Sequence, residues 1–188
     1  MKVGVYVGSF NPVHKGHKAI IDYLLNNKYV DIIEIVPTGN YWDKKDLIDI
    51  KDRIKMLEFY KTNRIIINKN LNHLEYTYQI LRALKSREKE LYLIIGSDNL
   101  PKFHLWKNFE ELLEYKIIVL PRDNMPSFSE IVDFSKHKNF IFVDGFSYKE
   151  ISSTIIREMI EKGNTTDLSG LLDEEVIKYI REKKLYVR

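Results

Sequence analysis

Six short runs rich in Val, Ile and Leu, at residues 3–7, 31–36, 65–67, 91–95, 116–120 and 140–143, punctuate the chain. Stretches with apolar residues at helical spacing separate them, at 17–27, 50–61, 76–87, 108–114 and 127–136. No other feature constrains the fold as tightly. Strands apolar at consecutive positions are buried on both faces, and the intervening helices supply the cover. In the first helical stretch Ile20, Ile21, Leu24 and Leu25 form one apolar stripe suited to that task. Right-handed crossovers then lead to an α/β fold with a doubly wound parallel sheet. Ligands of such sheets bind beyond the carboxyl ends of the strands, which places residues 8–17, 37–42, 96–99 and 144–154 on one functional rim.

A chain of 188 residues can bury a real core as one domain, 1–188. From residue 151 onward the pattern becomes wholly helical, a small C-terminal helical extension over 151–188, with Gly163-Asn164 as a helix stop and Asp173 as the final N-cap. The 44% hydrophobic and 30% charged content excludes a disordered chain. Thirty basic residues against 27 acidic ones leave a net charge of +3, too even for bulk nucleic-acid binding but compatible with a local cationic pocket. Without cysteine there is neither a disulfide nor a thiolate metal site. No apolar run approaches the roughly 18 residues of a membrane span, and the N-terminus enters a strand directly, so a cytoplasmic protein without a membrane partner is expected.

Two stretches carry the chemistry. The first strand runs into Gly8-Ser9-Phe10-Asn11-Pro12-Val13-His14-Lys15-Gly16-His17 and then a helix. A glycine-containing turn at a helix start can gather backbone N–H groups and the helix dipole around a phosphate, and His14 and His17 add donors that can reach a leaving pyrophosphate. The same glycines also suit a tight turn and close packing, and either histidine suits a cap. No third or fourth ligand stands at metal-site spacing, so the histidines are not read as zinc ligands. The second stretch is Ile151-Ser152-Ser153-Thr154-Ile155-Ile156-Arg157-Glu158. Hydroxyls at a helix entry are N-caps in the simplest reading, with Arg157 pairing with Glu161 one turn on. A hydroxyl-rich N-terminus bearing a guanidinium is equally a triphosphate clamp. Between the two, Gly96 lets a ligand approach the backbone and Asp98 can accept from ribose hydroxyls, or else forms an Asx turn or cap. Trp106 suits the core or stacking on a planar ring.

GSFNPVHKGH resembles the HxGH signature of the nucleotidyltransferase superfamily, and ISSTIIRE resembles its ISSTxIR motif. With Arg53, Met56-Leu57, Tyr76-Thr77, IIGSDNL, Trp106, Tyr179-Ile180 and Leu185-Tyr186, nearly the whole chain is similar to the bacterial nicotinate-nucleotide adenylyltransferases. The resemblance implies a Rossmann-like nucleotidyltransferase fold and attack by the acceptor's phosphate on the α-phosphorus of ATP, with pyrophosphate leaving. It implies ATP and nicotinate mononucleotide as partners and a Mg²⁺ held mainly by substrate phosphates. His14, His17 and Arg157 would be catalytic. Gly8, Ser9, Phe10, Gly16, Lys44, Gly96, Asp98, Ser152 and Ser153 would bind ATP and its phosphates, and Thr77, Trp106 and Tyr41 the acceptor. Members are often oligomers, which leaves a homo-oligomer open.

Three departures from the family's pattern fall in the acceptor pocket. The loop after the second strand reads Pro37-Thr38-Gly39-Asn40-Tyr41-Trp42-Asp43-Lys44-Lys45 without the family's Pro-Pro-His, Ile80 replaces a threonine, and Lys107 follows Trp106 where an aromatic is common. Nicotinamide mononucleotide or phosphopantetheine therefore stay open as acceptors, as do cytidylyl transfer and a non-catalytic nucleotide sensor.

Overall fold

The computed structural model describes residues 1–39, 46–122 and 137–187. Six strands, β1 (Lys2–Gly8), β2 (Ile32–Pro37), β3 (Ile65–Ile67), β4 (Glu90–Gly96), β5 (Lys116–Leu120) and β6 (Phe140–Phe142), form one sheet in the order 3-2-1-4-5-6. Every neighbouring pair is parallel. The order reverses between β1 and β4, and this switch point opens the crevice that doubly wound sheets use for ligands.

Alternate strand residues feed two cores. Val3, Val5, Leu93 and Ile117 point to one, with α3 (Thr77–Leu84), α4 (Leu100–Phe103) and α5 (Phe109–Leu112) covering them. Tyr6, Ile94, Ile118 and Leu120 point to the other, beneath α1 (Lys15–Asn26), α2 (Ile50–Glu58), α6 (Ser153–Glu161) and α7 (Glu174–Lys183). Burial on both faces is why the strand sequences are continuously apolar. Ile156, Ile160, Val176, Ile177 and Ile180 of the two C-terminal helices lie in the same core as α1. Each such side chain stabilises the docking by about 1.5–3 kcal/mol.

Every expected strand is found, within a residue at each end. Several helix bounds and one cap differ. α1 starts at Lys15 because the His14 side chain caps it. α2 stops at Glu58 with Phe59 as its C-cap, and α3 stops at Leu84, short of the polar Lys85-Ser86-Arg87. The C-terminal part is not wholly helical: α6 closes at Gly163 (φ 72) in a Schellman arrangement, Gly163 N–H to Ile160 O and Asn164 N–H to Met159 O, and a 3-10 turn at Leu168–Gly170 precedes α7. Asp173 occupies the N-cap position of α7, yet its carboxylate accepts from the Tyr60 hydroxyl instead of capping. The helix expected over 127–136 lies outside the described residues.

Candidate active site

At the carboxyl end of β1 the chain turns through Ser9 and Phe10 into His14, and the two histidines build the start of α1 between them. His14 N–H donates to His17 Nδ1 at 3.1 Å, and His17 N–H reaches His14 Nδ1 at 3.4 Å. This reciprocal box occupies both Nδ1 lone pairs, so the neutral rings carry their protons on Nε2 and keep those N–H groups as donors. The rings stack 3.7 Å apart at 27°. A Cβ on Gly16 would lie 3.0 Å from the His14 ring, so glycine is what allows the imidazole to fold over the helix entrance. Burial drives the His14 ionisation down to about 3, with the Arg122 guanidinium adding to it. Burial likewise holds His17 well below its ordinary value, reinforced by His14 and Arg122. Both rings are therefore neutral donors at physiological pH.

A cavity of about 740 Å³ opens over the switch point, within the range of small-molecule sites. Gly8, Ser9, Phe10 and His17 form one wall, Gly96 and Asp98 at the end of β4 a second, and Thr77 with Trp106 the far end; Ser153 also reaches it. The Trp106 ring packs with its centroid 5.0 Å from that of Phe103 and also borders the cavity. Asp98 does not cap the following turn; its carboxylate sits 3.4 Å from Arg122 Nε. A Cβ on Gly96 would come within 2.3 Å of Asp98 Oδ1 and 2.8 Å of Arg122 Nε, so this glycine makes room for that pair.

The second motif is brought onto the first. Ser153 Oγ donates to Pro12 O at 2.9 Å, and Arg157 Nη1 donates to Asn11 O at 2.8 Å with Nη2 3.2 Å from Thr154 Oγ1. Ser152 stands at the N-cap of α6 without a side-chain cap bond. Arg157 lines a neighbouring cleft of about 410 Å³ beside Asp46 and Thr154 rather than the larger cavity. His14, Gly16 and Ser152 also lie outside that cavity's lining. Tyr41 and Lys44 lie outside the described residues. Among the described residues no three His, Asp or Glu side chains converge to hold a metal.

Three side chains were not singled out as site residues. Arg122, at the carboxyl end of β5, lines the cavity, and its buried Nε, 3.4 Å from the Asp98 carboxylate, makes no hydrogen bond among the described residues. Its place just past a parallel strand is the signal that would have found it. Arg53, fully buried in α2, donates from Nη1 to Ser9 O at 2.7 Å and so braces the β1 turn; burial lowers its ionisation to about 10. Asn11, 4% exposed, is the third.

Residues 5–159 match the family model described as cytidylyltransferase-like. A protein of Fusobacterium nucleatum subsp. nucleatum is 35% identical over 193 residues, covering 97% of this chain and 98% of its own. One of Caldicellulosiruptor bescii is 32% identical over 200 residues, covering 100% of both chains; each bears the name probable nicotinate-nucleotide adenylyltransferase. Among solved structures, a Plasmodium falciparum nicotinic acid mononucleotide adenylyltransferase complexed with NaAD superposes with a TM-score of 0.84 at 23% identity, covering 98% of this chain and 97% of that one. The same enzyme complexed with APC gives 0.82 at 22% identity, covering 98% and 96%. These two share the fold. No helix among the described residues is long and apolar enough to cross a membrane. With the family model spanning most of the chain and relatives matching it from end to end, this protein belongs to the nicotinate-nucleotide adenylyltransferase family of cytidylyltransferase-like nucleotidyltransferases.

Proposed function

We propose that the protein transfers the adenylyl group of ATP to nicotinate mononucleotide, giving deamido-NAD and pyrophosphate. The observation that carries this reading is the convergence of the 8–17 turn, the end of β4 and the ISST helix on one cavity, in a chain so similar throughout to enzymes of that name. A phosphate oxygen of the acceptor forms a bond to the α-phosphorus while the bond from that phosphorus to the bridging oxygen breaks, and the electron pair leaves with pyrophosphate. The nucleophile is already anionic near neutrality, so the reaction calls for alignment and charge stabilisation more than for a strong base.

The side chains are suited to those tasks. His17 offers an Nε2–H donor where the chain enters α1, and the helix N-terminus adds its dipole, so charge developing on the leaving group is met by preorganised donors. His14 holds the His17 backbone and ring. Arg122 and Arg157 supply cations on either side of the 8–14 turn, and Ser153 fixes α6 to that turn. Asp98 suits the ribose hydroxyls, and Thr77 with Trp106 the acceptor's ring end. Magnesium would arrive on the triphosphate and offset its charge there, since the described residues provide no carboxylate cage.

Pyrophosphate release from ATP and Mg²⁺ tests the reading, with nicotinate mononucleotide, nicotinamide mononucleotide and 4′-phosphopantetheine offered separately. Preference for nicotinate mononucleotide is expected. Preference for another acceptor would move the assignment within adenylyl transfer, and no release with any would overturn the enzymatic reading.

A further inference from the structure

The C-terminal tail reaches back across the molecule to the turn that carries the phosphate chemistry. After α7 the chain passes through left-handed Lys184 (φ 51), with Leu185 N–H bonded to Ile180 O, and Tyr186 is left-handed as well (φ 61). Such backbone is unfavourable for a bulky side chain and persists where surrounding contacts over-determine it. Here the contact is specific: Tyr186 Oη donates to Asn11 Oδ1 at 2.9 Å.

Asn11 is a buried hub. Its Nδ2 donates to Asp46 O at 2.8 Å, its Oδ1 accepts from Tyr186, and its main-chain oxygen accepts from Arg157 Nη1. The Asp46 carbonyl, which can only accept, selects the orientation of the side-chain amide, because the flipped amide would set oxygen against oxygen, and in that orientation Oδ1 faces the phenol as acceptor. The hub joins the 8–14 turn to the Asp46 segment, α6 and the tail. Upstream, α7 is stitched to α2 by Tyr179 Oη on Asp52 Oδ1 at 2.7 Å, Tyr60 just past α2 donates to Asp173 at the start of α7, and α2 holds the turn itself through Arg53 on Ser9 O.

We infer that Tyr186 is a positioning residue for adenylyl transfer, its hydroxyl locking Asn11 and through it the register of the 8–14 turn and of Arg157. The inference rests on the function proposed above. Burial pushes the ionisation of the Tyr186 phenol upward against the pull of Arg157 and Arg53, so it remains a donor throughout the assay range. Removing the hydroxyl leaves Asn11 Oδ1 without its donor and the amide held by the Asp46 carbonyl alone. The turn then loses alignment at the reacting phosphates, where small displacements are expensive, while the acceptor's ring end is untouched.

The test is a double-mutant cycle of Tyr186→Phe and Asn11→Ala in the full chain, read as single-turnover pyrophosphate release, acceptor KM and thermal midpoint. Tyr186→Phe should slow turnover roughly five- to twentyfold, the range of one hydrogen bond to a buried acceptor, with acceptor KM within about twofold. The double variant should be no slower than Asn11→Ala alone, because the phenol acts only through that amide. Additive losses, unchanged turnover in Tyr186→Phe, or a Tyr186→Phe protein unfolded at the assay temperature would each overturn the inference. Should Asn11→Ala fail to fold, Asn11→Leu replaces it: the apolar side chain of similar size offers the phenol no acceptor, so Tyr186→Phe must have no further effect in that background. ATP affinity by calorimetry is measured on the same proteins. If the wild type turns over no acceptor, the proposed function fails, and the tether is then judged by whether Tyr186→Phe weakens ATP through Asn11 in the same non-additive way.

Discussion

The stacked histidines make the folded protein acid-sensitive in a definite window. His14 titrates near 3 when folded, against about 6.5 for an unperturbed imidazole in the unfolded chain. Its folded value is depressed, so its contribution to stability is fully present above about pH 6.5 and is lost as pH falls toward 3. Between pH 7 and 5 the unfolded chain takes up about three quarters of a proton at this residue and the folded chain almost none, which costs about 2 kcal/mol of stability. His17 shifts in the same direction, so its contribution has the same sign. For a domain of this size, His14 alone corresponds to a fall in thermal midpoint of roughly 4–8 °C. Ordinary carboxylates titrate below this window and add little to it. The assay is thermal unfolding of the wild type and of His14→Asn in buffers from pH 7.5 to 5 at constant ionic strength. His14→Asn should lose stability at all pH values and show the shallower pH dependence. A wild-type midpoint flat from pH 7 to 5, or equal slopes for the two proteins, would refute the claim that these rings are held neutral by burial.

Two substitutions probe the site more directly. His17→Ala should lower turnover by at least about two orders of magnitude, the loss typical of removing a donor aimed at developing charge, with the far-UV spectrum unchanged; near-normal turnover would refute the phosphate role. Gly96→Ala places a methyl group against Asp98 and Arg122, both of which can swing aside, so it should cost under about 2 kcal/mol of stability while raising the KM for ATP several-fold or more. An unchanged KM in steady-state kinetics would separate that carboxylate–guanidinium pair from nucleotide binding.

What could be read in advance, and what could not, follows from the range of the interactions involved. The strands were legible because burial on both faces writes itself into consecutive residues: β3 and β5 fall on their expected bounds. Helix starts were less so: a cap was one reading of either histidine, but imidazole is not among the strong capping side chains, and α1 begins at Lys15, two residues before its expected start. Within the candidate site, the two motifs at 8–17 and 151–158 were legible as local strings. Their meeting was legible too, since the doubly wound sheet puts 8–17 and 144–154 on one rim; what it did not give is the particular contact, Ser153 on Pro12 across 141 residues. Arg122 follows Pro121 as a single cation in no motif, and only its position past a parallel strand marks it. Tyr186 is the extreme case, joined to Asn11 across 175 residues. Closing so long a loop carries an entropy cost that one hydrogen bond cannot offset. The contact exists because Val176, Ile177 and Ile180 have already docked α7 on the core, which leaves only the last few residues to order. A tail residue of this kind becomes readable as functional once the helix before it is seen to be anchored, since its hydroxyl then acts on the turn from a fixed support.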